Sequence, residues 1–142
     1  MKIEKITEFN QELLESLNEL LPQLSSSAPP LDKKRLIEII DSNCCNTLIA
    51  IDNGQIYGML TLVIFRIPTG VRSRIEDVVV SEQARGKGVG RLLTDKAIEL
   101  AKQAGAKTID LTSRPSREVA NHLYQKAGFK KRESIVYRYN TK

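Results

Sequence analysis

The spacing of hydrophobic positions changes period several times along the chain, and each change predicts an element. Leu13, Leu14, Leu17, Leu20 and Leu21 recur at three-and-four spacing, one apolar stripe of a helix over residues 7 to 21, with Thr7 or Asn10 as its cap. The stretch Ser25-Ser26-Ser27-Ala28-Pro29-Pro30 cannot continue that helix and reads as a loop; Asp32 then caps a second helix bearing Leu36, Ile37, Ile39 and Ile40. Residues 47 to 51 and 55 to 67 are predicted as antiparallel strands around the turn Asp52-Asn53-Gly54. Pro68-Thr69-Gly70 turns the chain into a strand over residues 72 to 80, whose end Val78-Val79-Val80 suits a buried position. Residues 88 to 104 place Val89, Leu92, Leu93, Ala97, Leu100, Ala101 and Ala104 on one helical stripe, ended by Gly105. A strand over 107 to 111 follows, then a helix capped by Ser116 with Val119, Ala120, Leu123, Tyr124 and Ala127 on one side and Gly128 as its stop. Two short strands, 129 to 132 and 135 to 139, are predicted to finish the chain, and residues 3 to 6 form a weak first strand.

This order predicts an α/β (α+β mixed) sheet with helices on its faces. Its parallel neighbours are the strands flanking the helix at 88 to 104, because a strand–helix–strand crossover joins parallel strands with a right-handed turn. A chain of 142 residues suits one domain, 1–142, able to bury its own core without metals or disulfides. With 41% hydrophobic and 27% charged residues, a disordered or low-complexity chain is excluded. The formal charge of +5 favours anionic ligands without establishing nucleic-acid binding. No apolar run approaches the about 20 residues that span a bilayer, and no signal-peptide core follows Met1, so a cytoplasmic protein without membrane contact is expected. Adjacent Cys44 and Cys45 are poor disulfide partners and form no CxxC pair, so nothing points to a metal site.

Arg85-Gly86-Lys87-Gly88-Val89-Gly90 lies where a strand turns into a strongly amphipathic helix. Glycines there let a ligand approach the backbone amides without meeting a Cβ. The unpaired N–H groups of the first helical turn, the positive end of the helix dipole and the charges of Arg85 and Lys87 together suit a pyrophosphate. The spacing is not that of a P-loop, which needs a Lys-Ser or Lys-Thr pair, nor of a dinucleotide fingerprint, because the glycines run G-x-G-x-G and sit late in the chain.

Preceded by Ile75-Glu76-Asp77-Val78-Val79-Val80 and followed by Asn121-His122-Leu123-Tyr124-Gln125-Lys126-Ala127-Gly128-Phe129, this loop resembles the GNAT superfamily of acyl-CoA N-acyltransferases. The similarity is close over residues 72 to 140, where R-x-x-G-x-G and N-x-x-Y-x-x-x-G-F occur together; the N-terminal half matches in element order. The resemblance implies a twisted, mainly antiparallel sheet with a central splayed parallel strand pair, and acetyl-CoA as co-substrate. It implies that the amides of Val78 and Val80 pair with the pantetheine arm, and that amides from Arg85, Gly86, Lys87, Gly88, Val89 and Gly90, with Arg91 next, surround the pyrophosphate. Asn121 becomes a cofactor contact. Tyr124 becomes the acid that protonates or hydrogen-bonds the CoA sulfur when a primary amine, on a small molecule or a protein, attacks the thioester through a tetrahedral intermediate.

Glu76 is the candidate base, since a carboxylate bordering the cofactor arm can accept an ammonium proton through water. Asp77 faces the other way in a regular strand, although a bulge would change the alternation. His122, the only histidine, points about 100° away from Asn121 around the helix and is set aside. Two other readings stand beside the enzyme: a non-catalytic acyl-CoA sensor using the same cleft, and a basic RNA-binding protein suggested by Lys130-Lys131-Arg132 and Tyr137-Arg138-Tyr139. The acceptor side falls to the 25 to 30 loop, the Arg66 to Gly70 turn, Arg114 to Ser116 and the final hairpin, which carry no motif. Exposed strand edges allow a homodimer.

Overall fold

The two N-terminal helices begin where a side chain can accept an orphan amide. Asn10 Oδ1 takes the Leu13 N–H and Asp32 Oδ1 the Arg35 N–H, both at 2.8 Å. A computed structural model describes residues 1–142. The elements are β1 (Lys2–Lys5), α1 (Gln11–Leu24), α2 (Lys33–Asp41), β2 (Cys45–Asp52), β3 (Gln55–Ile67), β4 (Gly70–Val80), α3 (Val89–Gln103), β5 (Ile109–Asp110) and α4 (Glu118–Lys126), with one 3-10 turn at Glu82–Ala84. Two compact units result: Met1–Thr112 holds the sheet and the first three helices, and Ser113–Lys142 holds α4 and the C-terminal segment.

In the first unit the five strands lie in chain order, β1-β2-β3-β4-β5, antiparallel up to β4 and parallel between β4 and β5. Both faces are covered. Ile49, Met59 and Val79, in register across three strands, pack with Leu13, Leu14, Leu17 and Leu20 of α1 and Leu36 of α2. On the opposite face Gly58 sits against α3: a Cβ there would meet Val89 Cγ1 at 3.1 Å, Leu93 Cδ1 at 3.2 Å and the Val79 carbonyl at 3.1 Å. The stripe of α3 differs from its periodicity at one point, since Thr94 is fully buried and Leu92 is 42% exposed. Thr94 can be buried because its hydroxyl donates to the Gly90 carbonyl at 2.8 Å. The 25 to 30 loop is tied to α1 by Asn18, whose amide both accepts the Leu31 N–H (2.8 Å) and donates to the Leu31 carbonyl (3.0 Å).

In the second unit α4 ends in a glycine cap. Gly128 adopts φ 107°, its N–H donates to Gln125 C=O (3.1 Å), and the Phe129 N–H donates to Tyr124 C=O (2.9 Å). The Phe129 ring then meets the Tyr124 ring edge-on, centroids 5.8 Å apart, the hydrophobic contact that accompanies this cap.

Three local expectations are corrected. Ser116 does not cap α4; Arg117 holds that position without a side-chain bond, because the preceding turn is closed by Arg117 N–H to Arg114 C=O at 3.0 Å. Val119, expected on the packed stripe, is 86% exposed. Residues 129 to 132 and 135 to 139 form no strand, since alternation of side chains alone does not make one and a strand exists only where its backbone groups pair with a neighbour.

Gly58→Ala tests the tightest contact between the sheet and α3. It should destabilise the chain by about 1–3 kcal/mol in urea with an unchanged denaturant slope, as overpacking does.

Candidate functional site

The site is built on β4, and a bulge decides how. β4 runs in one register with β3 from Ile67↔Gly70 to Thr61↔Glu76, then resumes one residue out of step at Met59↔Val79 and Gly58↔Val80. Asp77 absorbs the extra residue at φ 51°, a left-handed conformation that Asp tolerates better than most side chains. Ile75 and Val79, four apart, would share a face in a regular strand. Here Ile75 stays in register with Leu62, while Val79 joins Ile49 and Met59 on the α1 side with Glu76.

The bulge also sets where the amides point. The Ser81 N–H donates to Tyr57 C=O at 2.8 Å, so by alternation Val79 pairs with Met59 while Val78 and Val80 turn their N–H groups away from β3. β5 pairs only with Ser73 and Arg74, and no strand takes up those two amides. The parallel pair is therefore splayed, as the resemblance implied.

The chain then enters the loop that the glycines announced. Ser81 caps the 3-10 turn, and Gly86 (φ 82°) and Gly88 (φ 79°) are both left-handed, with nothing within 4 Å of where a Cβ would stand. Gly88 is the N-cap of α3 without a side-chain bond, and the first helical hydrogen bond is Leu92 N–H to Gly88 C=O at 3.1 Å. The N–H groups of Val89, Gly90 and Arg91 precede that bond and open toward the loop. Arg85 lies 3.9 Å from Glu82, and Arg91 pairs with Asp95 at 2.9 Å; both are exposed. An open cradle of amides beside exposed cations suits an extended ligand ending in phosphates.

Glu76 lies in register with Thr61 and Thr47 across three strands, and its carboxylate accepts from Arg74 Nε at 3.3 Å. Thr47 Oγ1 is buried in that row with no hydrogen-bond partner. Asp77 has its carboxyl raised above the usual Asp range, first by loss of solvent in the bulge and then by the neighbouring Glu76 charge. Asn121 and Tyr124 belong to the second unit, one turn apart on α4. Asn121 Nδ2 donates to Arg114 C=O at 3.0 Å, holding the turn before the helix. Tyr124 is buried, and burial raises its phenol pKa, partly offset by the Arg117 guanidinium. His122 is exposed, and Cys44 and Cys45 are free thiols at the start of β2. Arg74 was not singled out from sequence, although its two-residue spacing from Glu76 puts both on one face of a strand.

The model of the acetyltransferase (GNAT) family matches residues 10–129. The chain belongs to that family. Among its curated relatives, the uncharacterized N-acetyltransferase YvbK of Bacillus subtilis is 34% identical over 84% of this chain and 73% of its own length. The uncharacterized N-acetyltransferase MJ1207 of Methanocaldococcus jannaschii is 32% identical over 44% of this chain, a match that spans only 28% of that longer protein. Among solved structures, a putative acetyltransferase from Agrobacterium tumefaciens superposes with a TM-score of 0.87 over 99% of this chain and 100% of its own, at 23% identity. AAC(6′)-Iy in complex with a CoA-linked acetylneamine bisubstrate analogue superposes with a TM-score of 0.79 over 98% of this chain and 97% of its own, at 20% identity. At those identities the two structures establish the GNAT fold. No helix of this GNAT protein is long and apolar enough to cross a membrane.

Because the folded Asp77 carboxyl keeps its proton to higher pH than the unfolded one, the fold loses stability as pH rises from the ordinary carboxylate range through the raised folded pKa. Asp77→Asn tolerates the left-handed backbone and removes that loss. Its stability relative to wild type should therefore climb as pH rises through and above the ordinary carboxylate range, followed by urea unfolding across that range. A difference independent of pH would show that the carboxyl does not sense the bulge.

Proposed function

We propose that the protein transfers the acetyl group of acetyl-CoA to a primary amine by direct attack of the amine on the thioester. The observation that carries this reading is the set of outward amides of Val78 and Val80, followed by the left-handed, unobstructed Gly86 and Gly88 and the uncapped N-terminus of α3. The spacing suits acetyl-CoA by class: outward strand amides can pair with the pantetheine arm as an added strand would, and the loop amides with Arg85, Lys87 and Arg91 can hold the pyrophosphate.

Glu76, Tyr124 and Asn121 carry the remaining roles, with Arg74 and Phe129 beside them. Glu76 orients the acceptor amine and takes its proton through water, with Arg74 holding the carboxylate at 3.3 Å. Tyr124 hydrogen-bonds or protonates the departing sulfur. Its O–H is on the ring at neutral pH, burial raising the phenol pKa further, and the Phe129 ring packs edge-on against it. Asn121 supplies a cofactor contact on the same helix. The acceptor is an amine, small or on a protein, selected by the loops around Glu76. Release of free CoA from acetyl-CoA across a panel of amines tests the activity. Cofactor binding without amine-dependent release would make the protein an acyl-CoA sensor instead.

Gly88→Val should weaken acetyl-CoA binding by on the order of 2 kcal/mol in a calorimetric titration of the folded variant. The side chain fills the space left for the ligand and strains a left-handed position. Unchanged affinity would mean that the phosphates bind elsewhere.

Tyr124→Phe keeps the ring and its contact with Phe129 while deleting the hydroxyl. Turnover should fall roughly 10²-fold with acetyl-CoA affinity nearly unchanged, because the lost bond strengthens as charge develops on sulfur. Retention of about half the wild-type turnover, with chemistry shown to be rate-limiting, would leave Tyr124 a packing role only.

A further inference from the structure

The α1 side of β4 carries more positive charge than its own carboxylate can balance. Arg72, Arg74 and Glu76 alternate onto that face, all within Met1–Thr112. Arg72 is turned to the β3–β4 connection, where its Nη2 donates to Thr69 Oγ1 at 3.2 Å. Arg74 meets Glu76 through one contact, Nε to Oε1 at 3.3 Å, and both side chains stay well exposed, 36% and 50%. That contact leaves the two Nη groups of Arg74 and the second oxygen of Glu76 to other partners. An exposed pair of this kind contributes little to stability, so its place on the strand that carries the outward amides of Val78 and Val80 calls for another reason.

The pair constrains its guest. An ammonium on the free oxygen of Glu76 takes up the carboxylate that balanced Arg74, and it stands in the field of that guanidinium. A plain amine or a diamine therefore leaves a cation beside a cation. A ligand that brings its own anion removes the conflict, since a carboxylate can take the Nη groups in the two-pronged manner that guanidinium favours. Because the two protein groups are in contact, the two charges of the ligand must be close as well, on one carbon and not at the ends of a chain. On β3 the same face offers half-buried Val63 and Phe65, in register with Arg74 and Arg72, as an apolar wall for what else that carbon bears.

We infer that the acceptor is a free α-amino acid, its ammonium on Glu76, its carboxylate on the Nη groups of Arg74 and its side chain toward Val63 and Phe65. This rests on the acetyl-transfer reading with Glu76 at the amine, and it makes Arg74 a residue that sets specificity. The amine nitrogen bonds to the acetyl carbon as the carbon–sulfur bond breaks. Of the two protons the ammonium loses, one leaves through Glu76 and one ends on sulfur, so the products are an N-acetyl amino acid and CoA.

Release of CoA from acetyl-CoA with leucine and phenylalanine, each beside its amide and its decarboxylated amine, tests the inference. Within each series the side chain is constant, and a carboxylate, a neutral amide or nothing stands beside the amine. The amino acid should exceed the other two in kcat/KM by at least about tenfold, through KM, although the amide has the more easily deprotonated amine. Arg74→Met keeps the length of the side chain and removes its donors. It should bring the ratio of amino acid to amide near one, whatever it does to the rate common to both, and Arg74→Lys should recover part of that ratio. Release as fast or faster with amines that lack a carboxylate overturns the inference and leaves acetyl transfer standing. So does a preference for the amino acid that survives Arg74→Met. No release with these acceptors or with any other amine, from a chain that binds acetyl-CoA, overturns the transfer reading and this inference with it.

Discussion

The single extra residue at Asp77 is the constraint on which the rest of the candidate site depends. Without it, Ile75, Asp77 and Val79 would line one face of β4, and Val79 could not reach the core beneath α1 while Ile75 kept its place beside Leu62. A left-handed non-glycine residue costs on the order of 1–2 kcal/mol, and it persists because apolar burial on both sides of the sheet holds the two registers in place. The same displacement leaves Val78 and Val80 with amides directed away from β3, and it falls just beyond the last β4 residue that pairs with β5. Packing and the proposed cofactor contacts therefore rest on one backbone irregularity.

Downstream, the chain converts that free strand edge into a helix terminus with few side chains in the way. Gly86 and Gly88 supply the left-handed turns, and α3 is held against the sheet by Val89, Leu93, Ala97 and Ala101. Thr94 would be a polar fault in that interface, but its hydroxyl returns to the Gly90 carbonyl. The amides at the start of α3 thus stand on a packed support while the cations around them, Arg85, Lys87 and Arg91, are exposed. Fixed backbone dipoles beside exposed charges suit the long anionic cofactor proposed for this site.

In the second unit, the N-x-x-Y-x-x-x-G-F pattern has a structural reading alongside its chemical one. Gly128 and Phe129 make the helix cap, and the cap brings the Phe129 ring against Tyr124. A residue proposed as an acid needs a fixed orientation as well as a proton, and here the cap packs the Phe129 ring against a phenol that carries its proton at neutral pH in any case. The side proposed for the acceptor is less regular. Asn18 fixes the loop before α2, and the Thr47, Thr61 and Glu76 row crosses the sheet on the α1 side.

Sequence by itself determined the order and type of most elements, because period-2 and period-3.6 burial are written residue by residue. The β3 strand is read at its observed ends, and the caps Asn10, Asp32 and Gly105 follow from local hydrogen-bonding and backbone chemistry that needs no distant partner. The glycine loop and its position before α3 were legible for the same reason. Tertiary structure alone decided the rest. Whether Asp77 bulges depends on which of two registers lets both Ile75 and Val79 be buried, a balance between opposite faces of the sheet. Thr94 is buried because its neighbours surround it, although its residue type suggests otherwise. Residues 135 to 139 have the pattern of a strand and are not one in this chain, because alternation prescribes faces and a ladder requires a second strand beside it.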